Sequence, residues 1–375
     1  MVPIRWPQPK GIVTPLVMPQ LSGLEKVALQ AVMESGQIGA ISEKIPFVEE
    51  KIGELFGLRC LLVSNGSVAL MLALRSIGIS PGHKVLTSNL TYAATASSIV
   101  NVGAVPVLCD VELESWQISL ASIKRMYTDD CRAIIIPHIY GVPADMHPIM
   151  EFANQKGLTV IEDCAEIFLG EYQGAKVGSI GDLSSFSFFP NKLVTCGEGG
   201  MVATKRLNFY EKMRLLRGQG MDPEHRYWFL EAGYNFRITG LQASILGAQV
   251  ERVHTLWHLR ESCEESYKSL LKEFLIWPST QYNIRRSPWI FTGALIDGGE
   301  ETKLAIARDL AQKGVESRPV FYPLSKMPAF AEYPADLCSN SESISTRGIS
   351  LPTGSHVREE DLEKIYSAFK RYCSV

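Results

Sequence analysis

The sequence predicts an α/β fold: a large domain on a mostly parallel central sheet flanked by helices, then a smaller C-terminal α+β domain. Three observations carry this. Apolar runs of about four to seven residues alternate with helical stretches from Cys60 to Phe189, the pattern of strands buried on both faces of a parallel sheet. Beyond them a long helical stretch leads into new strands separated by a single helix. A chain of 375 residues with 46% hydrophobic content also has enough apolar surface for one large core and a second, smaller one.

In chain order, residues 1–20 hold five prolines and read as an extended N-terminal arm. Ser22 with Glu25 three residues later is a capping box, and LEKVALQAVMES keeps helical spacing until Gly36 stops it. A second helix is expected over Ile45 to Phe56. CLLVSN then reads as a strand, SVALMLALRSIG as a helix, HKVLTSN as a strand, the small-residue run TASSIV as a helix and VPVLCDV as a strand. RAIIIPH, TVIEDCA and LSSFSFF continue the strands, with HPIMEFANQKG as a helix among them. Residues 21–250 form the expected large domain. After GYNFRITGLQASILGAQVERV, helix is expected to about Phe274 and into a small domain, 251–375. Its strands would include PWIFTGALID and VESRPVF, on either side of the helix ETKLAIARDLAQKG.

The composition narrows the function. With 37 basic and 40 acidic residues, a formal charge of -3 and a pI near 6.2, the chain has no global attraction to nucleic acid or to an anionic membrane. Small-molecule chemistry is the better expectation. The eight cysteines are scattered without a Cys-x-x-Cys pair, which favours a reduced, cytoplasmic protein. Prolines stand where a signal peptide would carry its apolar segment, and no run of about 18 apolar residues occurs, so neither secretion by that route nor a membrane span is expected. The seven histidines show no metal-ligand spacing, and no metal is expected.

The chemistry concentrates between Ile161 and Thr204. Asp163 ends an apolar run and, 29 residues later, Lys192 stands between Phe-Phe-Pro-Asn and a glycine-rich turn. Pyridoxal phosphate needs a lysine amine for its aldehyde, a carboxylate for its pyridinium nitrogen, and glycines or hydroxyls near its phosphate. Lys192, Asp163 and Ser187 can supply all three. Pro190 blocks a helix, so the Lys192 side chain leaves an irregular turn, from which it could hold the coenzyme and move a proton between two carbons; the alternative is an exposed loop lysine. Asp163 falls at the C-terminal edge of a strand, where open α/β sheets present functional groups, and would keep the pyridinium nitrogen protonated. It also suits a helix N-cap, and one residue can do both.

Ser64-Asn65-Gly66-Ser67 joins a strand to a helix, so the amides of Gly66 and Ser67 would meet a phosphate at the helix N-terminus, although the same four residues make an ordinary turn and cap. Ser187 would add a hydroxyl. Tyr92, amid small residues, suits either stacking on a pyridine ring or a place in the core. Glu166 reads as a partner for the ring's phenolic oxygen or as a first-turn helix acid. Arg318, followed by Pro319 and the aromatic run that includes Tyr322, could bind a pyrophosphate or the carboxylate of glutamate, or form a surface salt bridge.

Beyond these local readings, the strings SNGSVALMLAL, HIYGVPADM, IEDCAE, VGSIGDLSSFSFFPNKLVTCGEGGMVAT, GYNFRITGLQASILGAQVER and RPVFYPLSKMP resemble the DegT/DnrJ/EryC1/StrS sugar aminotransferases, within fold-type I pyridoxal phosphate enzymes. The resemblance covers the chain from about residue 12 to its C-terminus and is nearest the GDP-perosamine synthase-like branch. Gln37, Met71 and Ser325 depart from that pattern. The resemblance implies that Lys192 is the Schiff-base lysine, Asp163 the pyridinium partner, Tyr92 the stacking ring and Glu166 a neighbour of the coenzyme oxygen. Gly66, Ser67 and Ser187 become the phosphate cradle, and Asn235 reaches the phosphate from the other subunit of a homodimer with shared active sites.

The implied reaction moves an amino group from L-glutamate to a nucleotide-linked keto-sugar, at C4 of a 4-keto-6-deoxyhexose, for surface polysaccharide or glycoconjugate biosynthesis. Amination at C3 and a pyridoxal phosphate-dependent sugar dehydration are the alternatives. Relatives doing the latter carry histidine in place of the lysine, which is present here. A protein of another class, catalytically silent and regulatory on the same fold, is a further reading.

Overall fold

Seven strands build the central sheet in the computed structural model, which describes residues 5–373. They are β1 (Arg59–Val63), β2 (Lys84–Ser88), β3 (Val105–Cys109), β4 (Cys131–Pro137), β5 (Thr159–Asp163), β6 (Leu183–Ser187) and β7 (Gly200–Thr204), in the spatial order β1-β7-β6-β5-β4-β2-β3. From β6 to β3 every pairing is parallel, while β7 runs antiparallel to both its neighbours. In register, Pro137 faces Asp163, so β4 and β5 end level, while Asp163 faces Ser185 and β6 runs on two residues to Ser187.

Side chains alternate across this sheet with the two-residue strand period. Leu61, Val63, Ala133, Ile135, Ile161 and Val202 enter the core on one face. Cys60, Leu62, Ile134, Ile136, Val160 and Met201 enter the core on the other. Both faces are therefore covered, which is why these strands read as continuous apolar runs.

Most expected elements form within a residue or two of their expected bounds. The capping box holds: Ser22 N–H donates to Glu25 Oε2 at 2.7 Å, the helix runs Gly23–Ser35, and Gly36 ends it at φ 69°. The second helix is Lys44–Phe56, and helices Gly66–Ser76, Ala94–Asn101 and Met146–Lys156 fill the crossovers. β7 differs from the sequence reading, which took its glycines as part of a turn. After Gly197 (φ 84°) the chain reverses, and GMVAT inserts between β1 and β6. The single long helix is broken at Arg252 (φ -107°, ψ 11°) into Gly240–Glu251 and Val253–Leu271.

The C-terminal part carries a four-stranded antiparallel sheet in the order Leu275–Ile276, Thr292–Leu295, Gly348–Ser350, Arg318–Pro319. Gly348–Ser350, too short for a periodicity signal, lies inside it. Tyr267, Phe274, Phe291, Leu310, Ile349 and Phe369 form its core. The helix Val253–Leu271 joins the two cores, because Val253, Leu256 and Trp257 pack into the first and Tyr267 and Leu271 into the second.

The N-terminal arm follows the C-terminal part from Arg5 onward, residues 1–4 of the expected arm lying outside the described residues. Thr14 bridges to Val315 in parallel, Leu16 N–H donates to Glu316 at 2.9 Å, and the Trp6 indole donates to the Ser317 carbonyl at 2.7 Å. Among the described residues, no helix is long and apolar enough to cross a membrane.

Candidate active site

Beyond the C-terminal ends of the parallel strands opens a cavity of about 570 Å³, within the range of small-molecule and cofactor pockets. Gly66, Ser67, Tyr92, Asp163, Glu166, Ser187, Lys192 and Arg318 all line it. Residues from five separate segments of the sequence thus share one wall.

Asp163 lies at the floor, buried at the last position of β5. Thr95 Oγ1 donates to its Oδ2 at 2.8 Å and the Ala165 N–H to its Oδ1 at 3.1 Å. Burial still pushes its carboxyl above the ordinary value, against the pull of Thr95, Ala165, Lys192 and His138. A buried carboxylate in this state gains from a cation placed against it. Beneath it, Glu162 is committed to the protein: it accepts the amides of Gly178, Ile180 and Gly181 at 2.7–2.8 Å and the His138 Nε2–H at 3.1 Å. His138, Glu162 and Cys164 offer a buried trio of metal-ligating types, but both carboxylate oxygens are occupied and His138 Nδ1 accepts the Ala144 N–H at 3.0 Å. Glu162 and His138, through these hydrogen bonds, brace the chain next to Asp163.

Gly66 and Ser67 open the helix Gly66–Ser76, so their amides have no acceptor within the helix. Asn65 caps it by accepting the Val68 N–H at 3.0 Å. A Cβ on Gly66 would stand 2.9 Å from Ser187 Cβ, and one on Gly200 would stand 2.4 Å from the Asn65 carbonyl carbon. Glycine at both positions lets the Ser187 end of β6 close on the helix N-terminus. Two amides, a dipole end and a hydroxyl then make an anion cradle.

Lys192 is half-buried in the turn after β6, with Nζ 4.4 Å from the centre of the Trp289 ring. Burial holds its amine below the ordinary value, while the carboxylates of Glu166 and Asp163 pull the other way. Glu166 Oε2 accepts the Tyr140 N–H at 2.7 Å, and burial pushes its carboxyl up to about 8. Tyr140 is buried in a left-handed conformation (φ 54°, ψ 30°), a strained geometry for a side chain of its size. Its ring stacks on Phe321 at 5.2 Å, and Phe321 lies 6.0 Å from Tyr92, whose ring is exposed at the mouth.

Arg318 lines the cavity with its guanidinium anchored to Glu316 Oε1 at 3.0 and 3.1 Å. Tyr322 is half-buried and does not line the cavity; its neighbour Phe321 does. Asn235 is exposed outside it, accepting from Arg237 Nε at 3.1 Å in the same chain. Sequence reasoning missed Thr95, Tyr140, Trp289 and Phe321. Thr95 had a faint signal, a hydroxyl among alanines three residues after Tyr92. The others read as ordinary core or strand residues, since their roles depend on segments far away in sequence.

A pH effect follows from Glu166. Folded, it keeps its proton to about 8, and unfolded only to its ordinary value of 4.5, so it makes stability fall as pH rises between these values. The melting temperature of coenzyme-free Glu166→Gln should therefore fall less than that of the parent chain across this window, measured by scanning calorimetry. Parallel melting curves would contradict the assignment.

The sequence profile of the DegT/DnrJ/EryC1/StrS aminotransferase family matches residues 19–370. A GDP-perosamine synthase of Caulobacter vibrioides is 38% identical over 354 residues, covering 93% of this chain and 95% of that protein. Another, from Escherichia coli O157:H7, is 34% identical over 365 residues, covering 96% and 98%. Among solved structures, a DegT DnrJ EryC1 StrS aminotransferase from Brucella abortus superposes with a TM-score of 0.84 at 26% identity, covering 93% of this chain and 95% of that one. The crystal structure of 3-amino-5-hydroxybenzoic acid synthase gives a TM-score of 0.87, also at 26% identity, covering 96% and 100%.

Proposed function

The chain belongs to the DegT/DnrJ/EryC1/StrS aminotransferase family, and from that premise we propose a pyridoxal phosphate-dependent transfer of an amino group from L-glutamate to C4 of a GDP-linked 4-keto-6-deoxyhexose. The observation that carries this reading is one cavity lined by a lysine, a buried carboxylate and a glycine-and-serine anion cradle. The near full-length likeness to GDP-perosamine synthases supports the sugar and the nucleotide. A product destined for surface polysaccharide or glycoconjugate and a cytoplasmic setting belong to the same proposal.

The residues present fit the coenzyme. Gly66, Ser67 and Ser187 suit its phosphate, Asp163 its ring nitrogen, Tyr92 its ring face, Glu166 its phenolic oxygen, and Lys192 its aldehyde. Once bound, pyridoxal phosphate supplies an electron sink for the carbon that loses its proton. Asp163, denied water and held by Thr95 and Ala165, keeps a negative charge opposite the ring nitrogen. The amine of Lys192, its charge disfavoured by burial, suits the taking of a proton from one carbon and its return to another. Arg318 at the mouth offers a guanidinium for the carboxylate of glutamate or for pyrophosphate, and Phe321, rather than Tyr322, flanks that side.

Purified protein loaded with the coenzyme should show the absorbance of lysine-bound pyridoxal phosphate, and Lys192→Ala should lose it. Glutamate should bleach that band, and a GDP-linked 4-keto-6-deoxyhexose should restore it with release of a 4-amino sugar seen by mass spectrometry. A product aminated at C3, or deoxygenated without net amine transfer, would replace the C4 reading. A band that glutamate leaves unchanged defeats the transaminase reading altogether.

The proposal includes a homodimer in which Asn235 of one subunit reaches the phosphate of the other. Its support is the exposed position of Asn235, with apolar Tyr227, Trp228, Phe229 and Leu230 nearby also exposed. Mixing Lys192→Ala with Asn235→Ala subunits should then restore up to about a quarter of parental activity, since half of randomly paired dimers carry one intact site of two. Activity no higher than the sum of the two variants would contradict a shared site.

A further inference from the structure

Arg260 is a charged residue buried in the protein interior, 5% exposed, midway along the helix that joins the two cores. Its guanidinium spends itself on main-chain carbonyls. Nη2 donates to the Lys192 carbonyl at 2.6 Å, and Nη1 to the Asn191 carbonyl at 3.1 Å and the Trp289 carbonyl at 3.3 Å. The Trp289 indole N–H donates to the same Asn191 carbonyl at 3.0 Å, and the Lys192 amine lies over the face of that indole. One side chain thus ties the turn that carries the lysine to the segment that carries the ring its amine rests on.

The turn 189–195 has no helix or strand to hold it. Pro190 contributes no amide, and the carbonyls of Asn191 and Lys192 face inward, where they need donors. A guanidinium can serve three carbonyls at once from a rigid fork, which an ammonium cannot do with the same geometry. One turn along the helix, Glu264 is also buried, and Arg286 links it to the Tyr140 carbonyl, with contacts of 3.4 and 3.3 Å. The clamp therefore continues to Tyr140, whose amide holds Glu166.

We propose that Arg260 is a positioning residue for Lys192, fixing the main chain of the lysine's turn and of Trp289 so that the amine is held in the cavity at the angle the reaction requires. This rests on the reading of Lys192 as the coenzyme lysine. Arg260 does not line the cavity; it holds the backbone of the lysine's turn, and its charge adds to the burial that holds the Lys192 amine below the ordinary value, an effect that Arg260→Lys keeps.

The test uses the full chain, with and without coenzyme, as Arg260→Lys and Arg260→Met. In the coenzyme-free Met variant, amide hydrogen exchange in peptides covering 189–195 should speed up about tenfold, the loss of charge-assisted hydrogen bonds, while peptides of β4 and β5 stay as in the parent. In the loaded protein, kcat should fall about ten- to a hundredfold with KM for glutamate little changed, because displacement of a catalytic group costs turnover more than binding. Arg260→Lys should recover part of both. Unchanged exchange at 189–195 with kcat within about twofold of the parent would overturn the proposal. Exchange accelerated evenly through the whole chain would also overturn it, reducing Arg260 to general stability. If the Met variant does not fold, the Lys variant decides by the same local exchange. A parent chain that fails to take up coenzyme on Lys192 would defeat the functional reading, yet the exchange comparison would still decide whether Arg260 holds the turn.

Discussion

A carboxylate is costly to take out of water, and this fold takes Asp163 out of water at the end of its central strand. Three donors, the Thr95 hydroxyl, the Ala165 amide and, at 3.5 Å, the Ser185 hydroxyl, are aimed at it, and even so its carboxyl remains pushed upward. The fold tolerates this because β5 is paired on both sides in parallel register, and because Glu162 and His138 below it satisfy one another and the 178–181 loop. The surroundings over-determine the position of the charge, which suits the proposed pairing of Asp163 with a cation of fixed geometry.

The other site residues are placed by how closely chain segments can approach. Glycine at 66 and 200 lets β6 and β7 press against the helix Gly66–Ser76, bringing the Ser187 hydroxyl beside two amides with no acceptor in the helix. β7, the one antiparallel strand of the central sheet, exists because the chain must turn back after Lys192. That reversal leaves the lysine on a turn instead of a strand, free to point into the cavity. A turn outside any helix or strand is a poor platform for catalysis, and the contacts of Arg260 and Trp289 with its backbone add to the hydrogen bonds it makes itself, from the Lys192 N–H to the Phe189 carbonyl and from the Thr195 hydroxyl to the Phe188 carbonyl.

Much of this was legible in the sequence for a physical reason. Strands buried on both faces are written as apolar runs, so β1 to β6 could be read, and a residue ending such a run is placed at the sheet edge, so Asp163 could be read as well. Lys192 and Gly66 stood out because proline and glycine mark turns locally. Thr95, Tyr140, Trp289, Phe321 and Arg260 carry no such mark. Arg260 occupies one position in a polar-looking helix, and its carbonyl partners lie 68, 69 and 29 residues away in sequence. The strand Gly348–Ser350 and the reversal into β7 escaped for a related reason: three residues carry no period, and a glycine pair before a strand looks the same as one inside a loop. Tyr322 and Phe321 are adjacent aromatics, and only the backbone path decides which of them faces the cavity.

Among the described residues Lys192 is the lysine that lines the cavity, and the proposed reaction needs the coenzyme on its amine. Borohydride reduction of the pyridoxal phosphate-loaded protein, followed by proteolysis and mass spectrometry, tests it most directly, because reduction fixes the coenzyme to whichever amine holds it. A phosphopyridoxyl group is expected on the peptide containing Lys192 at close to one per chain. Label spread over surface lysines, or placed on another single lysine with Lys192 unmodified, would contradict it.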